Sequence, residues 1–542
     1  MRLKGISNRW FLIFFGTLLT VLVAAPVLLM WYVTPEGQVF TGTSVYSPID
    51  LPVYFADIKQ VAQGHWLVHD LFTTEGPQRG MFHILWVVLG SVARLFDLEP
   101  WMVFHSARVA LAPFLVWSLW WGIKQWLPRH VWRFGLVMAV FGSGTGVLLN
   151  RWLEKGDISE IGLDFWVPEG FVFMSSLQSP HYMLALSLFS LVLAAWFKAT
   201  KQTGTQAKVK WTLVSGVLAS VLFSFHPFHI FTIGLILIAH AVSLLMLNHK
   251  HHSSIWWMLP LWGACALPGA GYQLWLQWGD EVLQARSLQS KTPTPSFATV
   301  YLSFAALWVF GLVGARRLWK THREAGLFLL VWGVVQTLAL FAPIQINRRF
   351  VMGLQIDLAL LATVGWYVIF YGVKQHTTGF LKRTNWLLVI WRHAVGPAVA
   401  IFIFGFSSIV AFMTYLRAPA DIPDLLYMPE AQKKAYEWIE QNSAEDDVVV
   451  ALGWPAILLP GETGRSTYTA HWHETLRWEE KYAEVQQLLS SKDEKRVSQL
   501  LNQTSAAYVL LSPKQGFQVP TNRLERGFAD QSWRVFRVVS LP

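Results

Sequence analysis

Cysteine is almost missing from this chain. Cys265 is the only one in 542 residues; it lies in an apolar run, which excludes a disulfide framework and any metal site built from several thiolates and leaves the redox compartment open. Charge is scarce too: 14% charged against 54% hydrophobic residues is too little polarity for a soluble globular protein. Internal repeats and low-complexity tracts are absent, so solenoids and disordered arrays are excluded. A nucleotide-binding fingerprint is missing as well. GSGTG at 142–146 follows an apolar helical run and no strand, so it lacks the context a phosphate loop requires and reads as a helix end or a point of close packing. The net charge of +10 does not imply nucleic acid, because the basic residues sit mostly in short loops between apolar runs, where the positive-inside bias accounts for them.

What is present is long apolar runs. About eleven can span a bilayer: 10–33, 101–123, 131–149, 171–197, 211–225, 229–247, 255–278, 297–315, 325–342, 351–371 and 386–415. The first follows MRLKGISNRW and ends in a poor cleavage site, Ala24-Ala25-Pro26, so we read it as an uncleaved helix. The stretch 80–96 carries His83 and Arg94 and is short. If it spanned, the basic loop at Lys124, Arg129 and Arg133 would fall outside and the acidic loop 154–169 inside, against the bias. Charge therefore predicts a helix lying in the outer interface. The N-terminus is then cytoplasmic and everything after the last span extracytoplasmic. From 416 the composition becomes soluble: PEAQKKAYEWIEQN reads as a helix, and DDVVVALG, AAYVLLS and SWRVFRVVSL as strands. The expected fold is mainly α, a polytopic helical membrane domain over 1–415 followed by a small α/β domain over 416–542.

The polar residues gather at the expected outer ends of these spans. The segment 46–77 is rich in acids, histidines and aromatics and holds Asp50, Tyr54, Asp57 and Glu75. Asp50 lies between Pro48 and Pro52; a carboxylate so placed can act as general base towards a hydroxyl, hold a divalent cation, or cap a helix. Asp57 is two turns further along, and its neighbour Lys59 suggests a surface helix position. Glu169 in WVPEG and His181 in SPH flank the second outer loop, and His226 and His229 bracket Pro227 at a third. Those two histidines could share a metal across one turn, but a third ligand is not visible nearby and polar turn residues explain them equally. Arg348 and Arg349 form an outer cationic pair that breaks the positive-inside bias, and paired guanidinium groups grip phosphate well. Asp357 falls inside a span. In the C-terminal part, His471, His473 and Glu474 in HWHET make a weak zinc pattern or a lid.

This layout resembles the GT-C superfamily of integral-membrane glycosyltransferases, the class of the protein O-mannosyltransferases and the aminoarabinose and rhizobial lipid-A sugar transferases. Three features carry the resemblance: the acidic motif from Asp50 to Tyr54 in the first outer loop, the interfacial helix and basic-ended span after it, and SPH at His181 heading a descending helix. Many relatives have Pro-Asp at that last position, which weakens a metal role there. The chain is also similar to large bacterial membrane proteins sharing the NRRF element at 347–350 and AHWHET at 470–475. The resemblance implies a bacterial plasma-membrane enzyme that transfers a sugar, with inversion, from a polyprenyl-phosphate donor to an acceptor on the outer face. Asp50, Glu169 and His181 would be catalytic; Tyr54, Glu75, His226, His229, Arg348 and Arg349 would bind substrate, the arginines at the carrier phosphate. A divalent cation, Mg or Mn, is the one cofactor left open, with Asp50 as its candidate ligand. The partners implied are the sugar lipid, an acceptor and membrane lipids, without nucleic acid. The competing class is a transporter or flippase of a lipid-linked head group.

Overall fold

The computed structural model of the chain describes residues 7–146, 162–248, 253–371, 396–513, 515–517 and 522–539. Its contacts divide it into two units. The first comprises Met1–Ala24, Arg108–Gln273 and Thr292–Thr414; the second comprises Ala25–Ala107, Leu274–Lys291 and Tyr415–Pro542.

Among the described residues, eight helices are long and apolar enough to cross a membrane: Asn8–Tyr32, Pro100–Trp126, Pro180–Thr200, Thr205–Phe225, Phe228–Leu247, Arg323–Leu340, Asn347–Tyr371 and Ala398–Asp421. Phe297–Ser303 and Ala305–Thr321 make a ninth if they form one span bent by 75°. Two of the expected stretches account for the difference. Trp132–Phe141 has only 10 residues before the helix ends at Gly142, and 147–149 of that expected span lie outside the described residues, while Ile255–Gly279 has 25 but includes Pro260, Pro268 and several glycines and glutamines. The expected loops at 150–161, 249–252 and 372–385, and the start of the last span at 386–395, lie outside the described residues.

Tight packing inside the first unit comes from small residues. A Cβ on Gly314 would strike the Leu361 carbonyl, and one on Gly365 the Phe310 carbonyl, so the helices Ala305–Thr321 and Leu354–Tyr371 meet backbone to backbone. Such close approach is the usual basis of helix association in lipid. The GSGTG stretch proves to be a packed loop at a helix end. Asp164, wholly buried, accepts a hydrogen bond from the Gly146 N–H at 2.8 Å, and a side chain on Gly144 would collide with the Ser303 carbonyl.

In the second unit, strand β1 (Gln38–Phe40) pairs antiparallel with β2 (Tyr427–Pro429), Val39 opposite Met428. The helix Leu51–Gln63 follows, with Pro52 in its first turn and Gly64 ending it at φ 115°, a left-handed cap that glycine adopts without strain. Leu51, Phe55 and Ile58, spaced i, i+4 and i+7, are buried against Trp86, Leu89 and Ala93. Burying each of the three contributes about 1.5–3 kcal/mol. Trp86, Leu89 and Ala93 belong to Ile84–Phe96, a helix of 13 residues. At about 1.5 Å per residue it reaches roughly 20 Å, short of the ~30 Å hydrocarbon core. Its opposite face exposes Ile84, Val88, Val92, Leu95 and Phe96, as an interfacial helix requires.

The C-terminal part is a three-layer α/β structure. Strands β3 (Val448–Val450), β4 (Ser466–Thr467), β5 (Ala506–Leu511), β6 (Leu524–Asp530) and β7 (Trp533–Val538) form one sheet in the order β4-β3-β5-β7-β6. Pairing is parallel on the β3 side and antiparallel on the β7 side. The period of two along a strand decides the layers. Tyr508 and Leu510 face a core with Ala435, Tyr436, Ile439 and Leu458, whereas Val509 and Leu511 face one with Val485, Leu488, Val497 and Leu500.

Candidate active site

Asp50 occupies the N-cap position of Leu51–Gln63 but makes no side-chain capping bond. Its Oδ1 lies 3.2 Å from Nε2 of His471 instead. The other ring nitrogen of His471, Nδ1, is 3.1 Å from the backbone N of His473 and 3.3 Å from that of Glu474. Two N–H donors fix Nδ1 as the acceptor, so Nε2 carries the hydrogen and donates it to Asp50. His471 is 1% exposed while the Asp50 side chain is 35% exposed. The imidazole is therefore a fixed strut and the carboxylate remains open to solvent on its other side.

The strut is anchored by the loop it belongs to. Thr475 donates through Oγ1 to the Phe72 carbonyl at 2.6 Å, the Leu476 N–H donates to Thr73 at 3.2 Å, and the Thr467 N–H donates to the Leu71 carbonyl at 2.8 Å. Gln289 donates to the carbonyls of Trp472 and Thr475 at 3.0 and 2.8 Å. The AHWHET stretch is thus laced to residues 71–73.

A second polar group lies in the same unit. Arg286, from the helix Glu281–Gln289, pairs with Asp70 at 3.3 Å and with Glu474. Asp57 faces the same guanidinium, with Glu474 and Asp70 as like-charged neighbours. It does not sit on a plain solvent-facing surface as its sequence context suggested. Burial raises the Asp57 carboxyl well above the usual range, Arg286 opposing and Glu474 and Asp70 adding to the rise. Burial likewise pushes Asp70 up to about 6, against the pull of Arg286. Arg286 is held charged: burial works against it, but the Glu474 and Asp70 carboxylates more than compensate. Asp280 supports the helix from below, accepting from Leu283 N at 2.9 Å and from Arg79 N at 2.8 Å.

Glu75 lies a few residues on. Burial would raise it, yet hydrogen bonds from Lys481 and Thr73, the Lys481 charge and Arg477 lower it to about 2. Tyr54 stacks between Trp86, centroids 5.4 Å apart, and Phe104 at 6.1 Å, so its ring is part of the packing beneath the helix.

The remaining expected residues belong to the first unit. Glu169 is in the 3-10 turn Pro168–Gly170, which packs against the turn Asn347–Val351 that carries Arg348 and Arg349. Arg348 stacks over Trp166 at 4.5 Å and Arg349 over Phe228 at 4.7 Å. No carboxylate pairs with Arg349 among the described residues. The rings of His226 and His229 stack 4.8 Å apart, and that of His181 lies 6.3 Å from His226. His181 bonds Ser179 at 2.6 Å; His229 contacts Thr232 at 3.3 Å and the Met352 sulfur at 3.2 Å. Burial, reinforced by the Arg349 charge, pushes His226 down to about 3. Among the described residues, no group of three or more His, Cys, Asp or Glu is arranged to hold a metal ion. The Mg or Mn left open therefore finds no such ligand set among the described residues.

Asp50 and Glu75 thus share the second unit with His471, Glu474, Asp70 and Arg286, while Glu169, the three histidines and the arginine pair share the first. Arg286 and Asp70 were missed from sequence. Arg286 is one cation in an otherwise unremarkable helix, and only the surplus of acids in 46–77 hinted that a cation must answer it.

No protein-family model and no curated protein matches the sequence. Solved structures do. The chain aligns over 97% of its length with 98% of ArnT from Cupriavidus metallidurans bound to undecaprenyl phosphate, TM-score 0.55 at 13% identity. It aligns over 93% with 69% of the archaeal oligosaccharyltransferase AglB from Archaeoglobus fulgidus in complex with an inhibitory peptide and a dolichol-phosphate, TM-score 0.54 at 10% identity. This is a GT-C fold. Mycobacterial arabinofuranosyltransferase AftD shares it at TM-score 0.50 and 12% identity, with 99% of this chain covering 40% of that one. The GT-C fold is a polytopic helical membrane architecture with a C-terminal domain; here the unit that holds Tyr415–Pro542 also takes in Ala25–Ala107 and Leu274–Lys291, so its bounds differ from the expected division at 415/416.

Proposed function

We propose that this chain is a membrane-embedded glycosyltransferase that moves a sugar from a polyprenyl-phosphate donor to an acceptor on the outer face of a bacterial plasma membrane, with inversion. The observation that carries the proposal is Asp50. It sits at a helix start without capping that helix, and an N–H from a buried imidazole holds its carboxylate at 3.2 Å. An oriented, open carboxylate of this kind suits a general base. In the step proposed, the acceptor hydroxyl gives its proton to Asp50 as its oxygen bonds the anomeric carbon. The bond from that carbon to the phosphate oxygen breaks, and polyprenyl phosphate leaves with the electron pair. Arg348 and Arg349 are assigned to the phosphate, as adjacent guanidinium groups lying on aromatic faces, which suit paired hydrogen bonds to phosphate oxygens. Glu169, His181, His226 and His229 are assigned to the sugar lipid in the same unit. The GT-C neighbours whose bound carriers are undecaprenyl phosphate and dolichol-phosphate support the choice of donor.

The test is Asp50→Asn in purified, lipid-reconstituted protein offered polyprenyl-phosphate sugars. Transfer should fall by about 10²–10⁴-fold while lipid binding persists; undiminished transfer would refute the assignment. One observation favours the rival transporter reading. Asp357 is wholly buried within Leu354–Tyr371, and neither carboxylate oxygen has a hydrogen-bond partner among the described residues. Ionisable groups at such depth often serve transport. Head-group translocation in proteoliposomes that survives Asp50→Asn and is lost in Asp357→Asn would establish that reading in place of the first.

A further inference from the structure

Beside Glu75 lies a polar cavity of about 240 Å³, walled by Glu75, Tyr468, Arg477, Lys481, Glu484 and Gln503. All of it belongs to the second unit. We propose that this cavity binds one neutral, hydroxyl-rich sugar ring of the acceptor; its identity as the acceptor's site rests on the transferase proposal, whereas the binding does not.

Size sets the first limit. Pockets for drug-sized ligands run about 300–1,000 Å³, so this one suits a single ring and excludes an oligosaccharide segment. Wall chemistry sets the second. With Glu480 the lining holds three carboxylates and two cations, and most are already engaged with one another. Lys481 Nζ donates to Glu75 at 2.7 Å, and Arg477 donates to the same carboxylate at 3.2 Å; Tyr468 and Gln503 both donate to Glu484. An anion entering here competes with Glu75 for Arg477 and Lys481, and a cation competes with those two residues for Glu75. A neutral diol meets neither penalty, because each hydroxyl both donates and accepts. A carboxylate has about four lone-pair sites, so Glu75 and Glu484 keep acceptor capacity after their present bonds.

The cavity is also built to persist. The Lys481 side chain is 2% exposed, and Glu75 stays ionised, lowered to about 2, its Lys481 and Thr73 bonds outweighing burial. Its position ties it to the candidate base. Glu75 ends the loop whose residues 71–73 are laced to AHWHET, and Arg477 and Lys481 follow directly after that stretch. A ring held here sits on the same loop pair that carries His471.

The experiment is saturation-transfer NMR with the full chain in nanodiscs, using methyl glucoside, methyl mannoside and methyl arabinoside as neutral probes and glucuronate and glucosamine as charged ones. At least one neutral glycoside should bind, and at least tenfold more tightly than either charged sugar. Glu484→Gln, and separately Gln503→Leu at a more exposed position that leaves the buried pair intact, should each weaken it at least fivefold. A flat response to all neutral glycosides, preference for a charged sugar, or binding unchanged in both folded variants would overturn the proposal. Binding should persist in Asp50→Asn. Absence of transfer by the unaltered chain defeats the transferase proposal whatever the titration shows, and a flat titration defeats the sugar cavity whatever happens to transfer.

Discussion

Replacing Asp70 by Asn removes a charge from the most crowded carboxylate group in the second unit while keeping shape and most hydrogen bonds. Asp70 has its carboxyl raised from the ordinary 3.8 to about 6, first by burial and then by Glu474, with Arg286 opposing. The sign follows from proton counting. Between about pH 3.8 and 6 the folded state binds more protons than the unfolded state, so stability falls as pH rises through that window. The contribution is complete below the unfolded value and gone above about pH 6. At about 1.4 kcal/mol per pH unit this displacement corresponds to about 3 kcal/mol. Asn resembles the neutral acid at every pH. The stability gap between Asp70→Asn and the unaltered chain should therefore shift by about 3 kcal/mol in favour of the variant between about pH 3 and pH 7.5. Comparing the gap at two pH values cancels any constant effect of the replacement itself. Denaturant unfolding in mild detergent, followed by tryptophan fluorescence, reads it directly. A gap that stays constant across that range would refute the burial argument for the whole group, since Asp57 rests on the same cause.

His471→Ala should reduce transfer at least tenfold by releasing the Asp50 carboxylate, and His471→Gln should recover part of the loss because an amide N–H can replace Nε2; equal activity in the two variants would show that the strut does not matter. Replacing both Arg348 and Arg349 by Ala should weaken polyprenyl-phosphate binding by several kcal/mol, at about 1.5–3 kcal/mol per charge-assisted bond, as measured by lipid titration, and unchanged affinity would remove them from the phosphate. Reporter fusions at Gln202 and Gln515 should report opposite sides of the membrane, and a shared side would overturn the orientation proposed.

The fold was largely legible because membrane spans announce themselves locally. Runs such as 10–33 and 229–247 need no partner to be recognised, and the shortness of the 80–96 stretch set it apart, its helix Ile84–Phe96 having 13 residues. Where the sequence misled, tertiary contact decided. Lys59 made Asp57 look like a surface residue, yet Lys59 turns to Glu440 at 2.7 Å while Asp57 faces Arg286 and its acids. HWHET read only as a weak zinc pattern or a lid; the contact His471 makes in the structure is with a carboxylate 421 residues away, a separation no local pattern encodes. The GSGTG glycines were readable as close packing, but not what they pack against, since Ser303 and Asp164 are remote in sequence.

That separation has a consequence for how the protein is made. Asp50 and Asp70 leave the ribosome early, and the residues that brace them, His471 and Glu474, some 400 positions later, together with strand β2 for β1. At about 5–20 residues per second of synthesis, the first loop waits roughly 20–80 s for its counterpart. Throughout that interval a nascent chain carries its spans without the His471 brace on Asp50, and a chain truncated anywhere before residue 471 is inserted but unfinished. Bracing of the Asp50 carboxylate therefore waits on residues made some 400 positions later.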